Sequence, residues 1–144
     1  MDFDNAIASH IRWKLQLYQW LQGRLPAPMA SEVASANRCD LGQVLLSCEG
    51  DFQRLGSYRL AKGAHAIFHA RAAEVVEAIA AGETPRATTM IAPGTPYAAA
   101  SNAIVLALAK LQADTRKLEP ASYERGRNPP LPVSRPRTCP SSIT

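Results

Sequence analysis

The segment SYRLAKGAHAIFHARAAEVVEAIAA, residues 57–81, has the clearest helical pattern in the sequence and decides the fold class. Its main apolar residues and both of its histidines fall on one stripe of a helix with 3.6 residues per turn. The residues of this stripe are Leu60, His65, His69, Ala72, Val76 and Ile79. Gly82 follows the segment and is a typical helix stop. We therefore predict one long helix with a buried face here.

Three other segments have a helical pattern of apolar residues: residues 2–22, 37–47 and 97–118. The first ends at Gly23, and Asn37 is a plausible N-cap for the second. No alternation of apolar and polar residues typical of strands appears. The sequence therefore predicts an all-α fold, a four-helix bundle with a short second helix.

The composition indicates one domain followed by a tail. The chain has 144 residues, of which 47% are hydrophobic, which is enough for a single buried core. Residues 119–144 are rich in proline and arginine and have no apolar period. We therefore expect a folded bundle over residues 1–118 and a disordered C-terminal tail over residues 119–144.

Charge and hydropathy exclude several classes of function. The formal net charge is only +4, several arginines lie in the predicted tail, and no basic stripe interleaved with aromatic residues appears, so we expect no nucleic-acid partner. The start MDFDNAIASH is acidic and does not resemble a secretory signal. No stretch approaches about 18 consecutive apolar residues, so we expect no membrane association and a cytoplasmic location.

All three histidines of the chain lie at positions that a helical bundle turns inward. His65 and His69 stand in HAIFH, one helical turn apart, so that both imidazoles can reach one ion. Ala66 replaces the glutamate of the HEXXH zinc peptidases, which excludes that chemistry. His10 lies on the buried stripe of the first helix, where an unpaired imidazole is costly. Taken alone, His10 could equally be a core histidine bonded to a backbone carbonyl.

Cys39 supplies a fourth candidate ligand at the start of the second predicted helix. Unpaired N–H groups and the helix dipole at such a position favour the thiolate. Three imidazoles and one thiolate suit tetrahedral zinc. The sequence thus predicts a Zn²⁺ site made of His10, Cys39, His65 and His69, with no catalytic residue.

Four short motifs carry a resemblance to a known family: HIRWK at 10–14, CDLGQVL at 39–45, LGSYRL at 55–60 and HAIFHARAAEVV at 65–76. Their order and approximate spacing resemble the chemoreceptor zinc-binding (CZB) domain, a bacterial helical bundle found in chemoreceptors and in zinc-responsive diguanylate cyclases. The family binds zinc through a first histidine, the cysteine of a CxLGxW motif and an HxxxH pair. The resemblance therefore implies the same four ligands, although Val44 stands at the position of the family's tryptophan.

The resemblance also implies a regulatory function in signal transduction. The family is linked to sensing of zinc and of hypochlorous acid, a form of redox sensing, with control of chemotaxis or of cyclic di-GMP output, and its members commonly form homodimers. Neither a GGDEF-like motif nor a long heptad signalling helix appears in the sequence. We therefore expect a homodimer that acts on a separate partner, such as a chemoreceptor or a diguanylate cyclase. A site with four protein ligands has no open position for substrate, so we expect no enzyme activity.

Three alternatives remain open at this point. Zinc could hold the bundle together as a structural or interaction scaffold with no sensing role. A hydrolase that binds zinc through three histidines and leaves Cys39 unbound would keep an open metal position. An iron-binding carboxylate bundle is disfavoured, because the repeated Glu-x-x-His motifs of such proteins are missing from the sequence.

Overall fold

The computed structural model describes residues 1–118, and within them every regular element is a helix. The seven α-helices of this part are α1 (Phe3–Leu21), α2 (Ala30–Ala34), α3 (Asp40–Ser47), α4 (Glu49–Phe52), α5 (Gly56–Ala80), α6 (Thr84–Met90) and α7 (Pro96–Leu118). A short 3₁₀-helix, Ala36–Arg38, lies between α2 and α3. The predicted all-α fold is confirmed for these residues. The predicted tail, residues 119–144, lies outside the described part of the chain.

The three long helices agree with the prediction to within one or two residues at each end. The side chain of Asp2 caps α1 by accepting the N–H of Asn5 at 3.0 Å. Gly82 follows α5 with a φ of +76°, a left-handed conformation that glycine adopts without strain. Pro96 is the first residue of α7, where its missing N–H removes no helical hydrogen bond.

The second predicted helix differs from the structure. It begins at Asp40 instead of residue 37, because the residues before Cys39 form the 3₁₀-helix. The predicted N-cap Asn37 is therefore wrong, and Cys39 is the N-cap, with its Sγ accepting the N–H of Gly42. The helix ends at Ser47, as predicted, and the short helix α4 follows it.

Two further helices, α2 and α6, lie outside the four segments that were predicted to be helical. Pro85 lies in the first turn of α6, a position that tolerates proline because the N–H is not needed there. Helix α2 is only one turn long and buries Val33. A helix this short has too few residues to show a period in the sequence.

Helix α5 is the centre of the bundle. It packs most extensively against α7, and it also contacts α2, α3 and α6. Large side chains that are completely or almost completely buried in this core include Leu17, Leu41, Tyr58, Phe68, Val76, Leu108 and Leu111. Leu60, which we predicted on the buried stripe, is 58% exposed, because Tyr58 and Ala61 face the interior instead. Within residues 1–118, no helix is long and apolar enough to cross a lipid bilayer.

Candidate metal centre

Three of the four predicted ligands come together at the start of α3 and the middle of α5. The ligand atoms of Cys39, His65 and His69 all lie within 4.8 Å of one another. The Sγ of Cys39 is 3.1 Å from Nε2 of His65. Both histidines are buried and Cys39 is half-buried. This spacing is short enough for one metal ion to bind all three residues after small side-chain movements.

The backbone around Gly42 places Cys39 at this point. The N–H of Gly42 donates to Cys39 Sγ over 3.3 Å, and the thiol lies 3.5 Å from the carbonyl oxygen of Ala36. A Cβ atom at Gly42 would lie 1.9 Å from that same carbonyl oxygen. The glycine of CDLG therefore allows the 3₁₀-helix and the first turn of α3 to approach each other closely.

Burial outweighs the helix N-terminus in setting the protonation of Cys39. Burial raises the pKa of the Cys39 thiol, while the backbone N–H groups of Gly42 and Leu41 lower it less. The helix N-terminus therefore acts towards the thiolate, as expected, but burial has the larger effect on the pKa of Cys39. A bound cation has to supply the remaining stabilisation of the thiolate, which is typical of a metal-ligating cysteine.

His69 is oriented by a backbone carbonyl on α2. Its Nδ1–H donates to the oxygen of Val33 over 2.7 Å, and both residues are buried. This hydrogen bond fixes the tautomer in which Nε2 has the free lone pair that a metal needs. Sequence reasoning missed Val33, and no signal could have identified it, because its contribution is a main-chain atom of an unpredicted helix.

The imidazoles are neutral around pH 7. Burial lowers the pKa of His65 to about 3, with smaller contributions from His69 and His10. Burial also lowers the pKa of His10 to about 4, with smaller contributions from Lys14 and His69. Burial lowers the pKa of His69 as well, although its bond to Val33 acts in the opposite direction. Neutral imidazole is the form that binds metal ions.

His10 is buried as predicted, but it does not belong to the compact donor group formed by the described residues. Its Nε2 lies 3.0 Å from the Oγ of Ser101 on α7. Its ring contacts the edge of Phe68, with ring centroids 4.6 Å apart. Sequence reasoning missed Ser101. The available signal was a serine interrupting the apolar run of the last helix.

A cleft of about 730 Å³ leads from the surface to this centre. Its lining includes His10, Arg12, Trp13, Arg38, Cys39 and His69. Trp13 contacts the ring of His69 with a centroid distance of 5.0 Å and that of Phe68 at 5.3 Å. One side of the centre is therefore packed by aromatic rings, and another is open to small molecules.

One thiol and two neutral imidazoles, on a helical scaffold, define a Cys/His metal-binding domain, and this donor set suits zinc. Residues 10–76 match the model of the family described as the chemoreceptor zinc-binding domain, so this part of the chain is similar to that family. The predicted resemblance is thereby confirmed, and zinc is the metal of the site. Comparison with curated proteins found no match, and neither did comparison with solved structures.

Proposed function

We propose that the chain binds one zinc ion through His10, Cys39, His65 and His69, and that this site regulates a separate signalling partner. The observation that carries the proposal is the convergence of the Cys39, His65 and His69 donors within 4.8 Å. His10 is the remaining neutral imidazole beside them, close enough to affect the pKa of His65. With His10 as fourth ligand, the tetrahedral site is closed to substrate, so the function is regulation and not catalysis.

The proposed ligands connect three parts of the bundle. His10 is on α1, Cys39 caps α3, and the histidine pair is on α5. When bound, zinc supplies the positive charge that stabilises the Cys39 thiolate. Loss of any ligand would then release one of these elements from the others, so occupancy of the site controls how firmly α1 and α3 are held against α5.

Cys39 is the residue through which an oxidant would act. The cleft gives small molecules a route to its sulfur. Hypochlorous acid oxidises a thiolate by two electrons to the sulfenic acid and is itself reduced to chloride. Oxidised Cys39 is a poor metal ligand, so zinc binding weakens and the N-cap of α3 is disturbed. Zinc availability and hypochlorous acid are therefore the two inputs that this site supports.

The proposed partner is a chemoreceptor or a diguanylate cyclase in the cytoplasm, contacted by a homodimer of this chain. Support comes from the family, whose domains function in chemoreceptor-type signalling. The structure does not favour the hydrolase alternative, in which Cys39 stays unbound, because it groups Cys39 with both histidines of the HxxxH pair.

Metal analysis of single variants tests the ligand set. The purified chain should contain one zinc ion, and His10→Ala, Cys39→Ala, His65→Ala and His69→Ala should each lose most of it. Asp40→Asn is the matched control, because it changes the residue beside Cys39 without removing a donor. Full zinc retention in both His10→Ala and Cys39→Ala would contradict the proposed site.

A second experiment separates sensing from the scaffold alternative. Zinc release is followed with a chromogenic chelator while hypochlorous acid is added, and hydrogen exchange of α1 and α3 is measured before and after. A sensor should release zinc stoichiometrically with oxidation of Cys39, and exchange in both helices should rise. Zinc that stays bound, with unchanged exchange throughout the hypochlorous acid titration, would instead identify a scaffold.

A further inference from the structure

We propose that Ser101 on α7 is a positioning residue for His10, and that through this contact α7 responds to metal binding. The proposal rests on the ligand role proposed for His10. Its starting observation is the 3.0 Å contact between His10 Nε2 and Ser101 Oγ, which joins α1 to α7. Both residues are only 3% exposed, so water does not compete for this hydrogen bond.

Metal binding selects the tautomer of His10 in this contact, because the hydroxyl of Ser101 can either donate to Nε2 or accept from it. A neutral imidazole has one N–H donor and one lone pair. If Nε2–H donates to Ser101 Oγ, the lone pair is on Nδ1, and Nδ1 is the nitrogen left for the metal. His69 has the complementary arrangement, since its Nδ1–H donates to Val33 and Nε2 is left for the metal. Metal-ligating histidines usually have such a partner on the second nitrogen.

The orientation of the His10 ring is also limited by Phe68. The two rings meet at an interplanar angle of 71° with centroids 4.6 Å apart. A ring held by a hydrogen bond at one edge and by an aromatic side chain beside it has few alternative orientations. The entropy lost on metal binding is correspondingly smaller, which is the physical reason that removing Ser101 should weaken binding.

Ser101 places the other end of this contact inside the packed face of α7. Ala100 and Ile104, its neighbours on that face, are buried. Helix α7 also packs along α5, which bears His65 and His69. A change in the His10–Ser101 contact therefore acts on α7, and α7 also contacts α5, the helix of His65 and His69.

Zinc affinity, measured by competition with a chelator of known affinity, tests the proposal. Ser101→Ala should bind zinc about 10- to 100-fold more weakly than the unmodified chain, as is typical for loss of such a partner. Ser101→Thr, which keeps the hydroxyl, should recover most of the affinity. Ser57→Ala is the matched control: Ser57 is also buried, but its Oγ has no hydrogen-bond partner among the described residues.

Two further readouts distinguish positioning from a structural effect. The visible absorption of the Co²⁺-substituted protein should change in Ser101→Ala and not in Ser57→Ala, because it reports ligand geometry. Zinc should protect amides of α7 around Ser101 from hydrogen exchange, and this protection should be smaller in Ser101→Ala. If Ser101→Ala does not fold, the isosteric pair Ser101→Thr and Ser101→Val gives the same comparison.

The outcomes separate this inference from the proposed function. Unchanged zinc affinity and an unchanged Co²⁺ spectrum in Ser101→Ala, together with weak binding by His10→Ala, would overturn the role of Ser101 and leave the ligand set intact. Unchanged zinc affinity in His10→Ala would overturn the four-ligand site itself. Weakened binding in Ser101→Ala with recovery in Ser101→Thr supports the inference.

Discussion

Helix α5 buries both polar and apolar side chains in its first half and only apolar ones in its second. Between Gly56 and His69, the buried side chains with polar atoms are Ser57, Tyr58, His65 and His69. From Ala72 onward, all of the buried side chains are alanine or valine. The first half therefore depends on specific partners for Tyr58, His65 and His69, whereas the second half is stabilised by the burial of apolar area alone.

This difference indicates that the two halves of α5 have different roles. The apolar half needs no ion, so it should stay folded whether or not zinc is bound. In the polar half, a metal ion or a hydrogen-bond donor stabilises the buried ring nitrogens of the imidazoles. A metal site built on one half can thus change without unfolding the whole bundle.

Phe68→Ala should have the largest effect of the changes considered, because Phe68 lies where the two halves meet. Its side chain is completely buried and contacts the rings of His10, Trp13 and Tyr97. Truncation should lower the free energy of unfolding by about 3 to 5 kcal/mol. The measurement is urea unfolding of the zinc-free protein followed by circular dichroism.

Ile67→Ala is the control for this prediction, since Ile67 is the adjacent residue and is 55% exposed. Ile67→Ala should change the free energy of unfolding by no more than about 0.5 kcal/mol, as for most surface substitutions. If both variants unfold at the same urea concentration, Phe68 does not connect the two halves as described.

Acid should destabilise the zinc-free protein through the polar half of α5 and its neighbour His10. The pKa of His10 falls from 6.5 to about 4 on folding, and that of His65 to about 3. Because the unfolded chain takes up these protons first, the stability is fully present above pH 6.5 and is lost progressively as the pH falls towards these folded-state values. For His10, the loss corresponds to about 3 kcal/mol.

Urea unfolding between pH 7 and pH 4 measures this loss. Carboxylates also titrate in this range, so the comparison is with His65→Gln, which has no titrating group at that position. The variant should show a smaller fall in stability between pH 6.5 and pH 4. Equal slopes in the two proteins would contradict the low pKa of His65.

Gly42→Ala should disturb the metal centre more than the fold. The added Cβ would lie 1.9 Å from the carbonyl oxygen of Ala36, so the start of α3 has to move, and Cys39 with it. Adding a group at such a packed position typically lowers the free energy of unfolding by about 1 to 3 kcal/mol. Zinc affinity should fall, which chelator competition measures directly.

Gly63→Ala is the matched control, because Gly63 lies in α5 and a Cβ there would meet nothing within 4 Å. This substitution should stabilise the protein by about 0.5 to 1 kcal/mol through helix propensity and leave zinc affinity unchanged. A Gly42→Ala protein with normal zinc affinity would show that Cys39 is not held by this close approach.

The long helices and the HxxxH pair of candidate ligands could be predicted from the sequence, because both depend on regular spacing. The HxxxH pair shares a helical face at any point of an α-helix, and the positions of α1, α5 and α7 follow from apolar periods and their stops. The contact between His10 and Ser101 joins positions 91 residues apart, and no local pattern predicts such a pairing. The protonation of Cys39 depended on burial, which its position in the sequence did not reveal.

The smallest expected effect concerns Tyr58, whose hydrogen bond joins the polar half of α5 to α3. Its hydroxyl donates to the carbonyl oxygen of Leu45 over 2.5 Å, in the last turn of α3, where carbonyls run out of helical partners. Tyr58→Phe keeps the buried ring and removes this hydrogen bond, so the free energy of unfolding should fall by about 0.5 to 1.5 kcal/mol.

Tyr18→Phe is the control, because Tyr18 is 50% exposed and its change should have little effect on the free energy of unfolding. Zinc affinity should fall only slightly, since Cys39 lies at the opposite end of α3. A large loss of zinc binding in Tyr58→Phe would show that the far end of α3 also positions Cys39, and that the polar half acts as one cooperative unit.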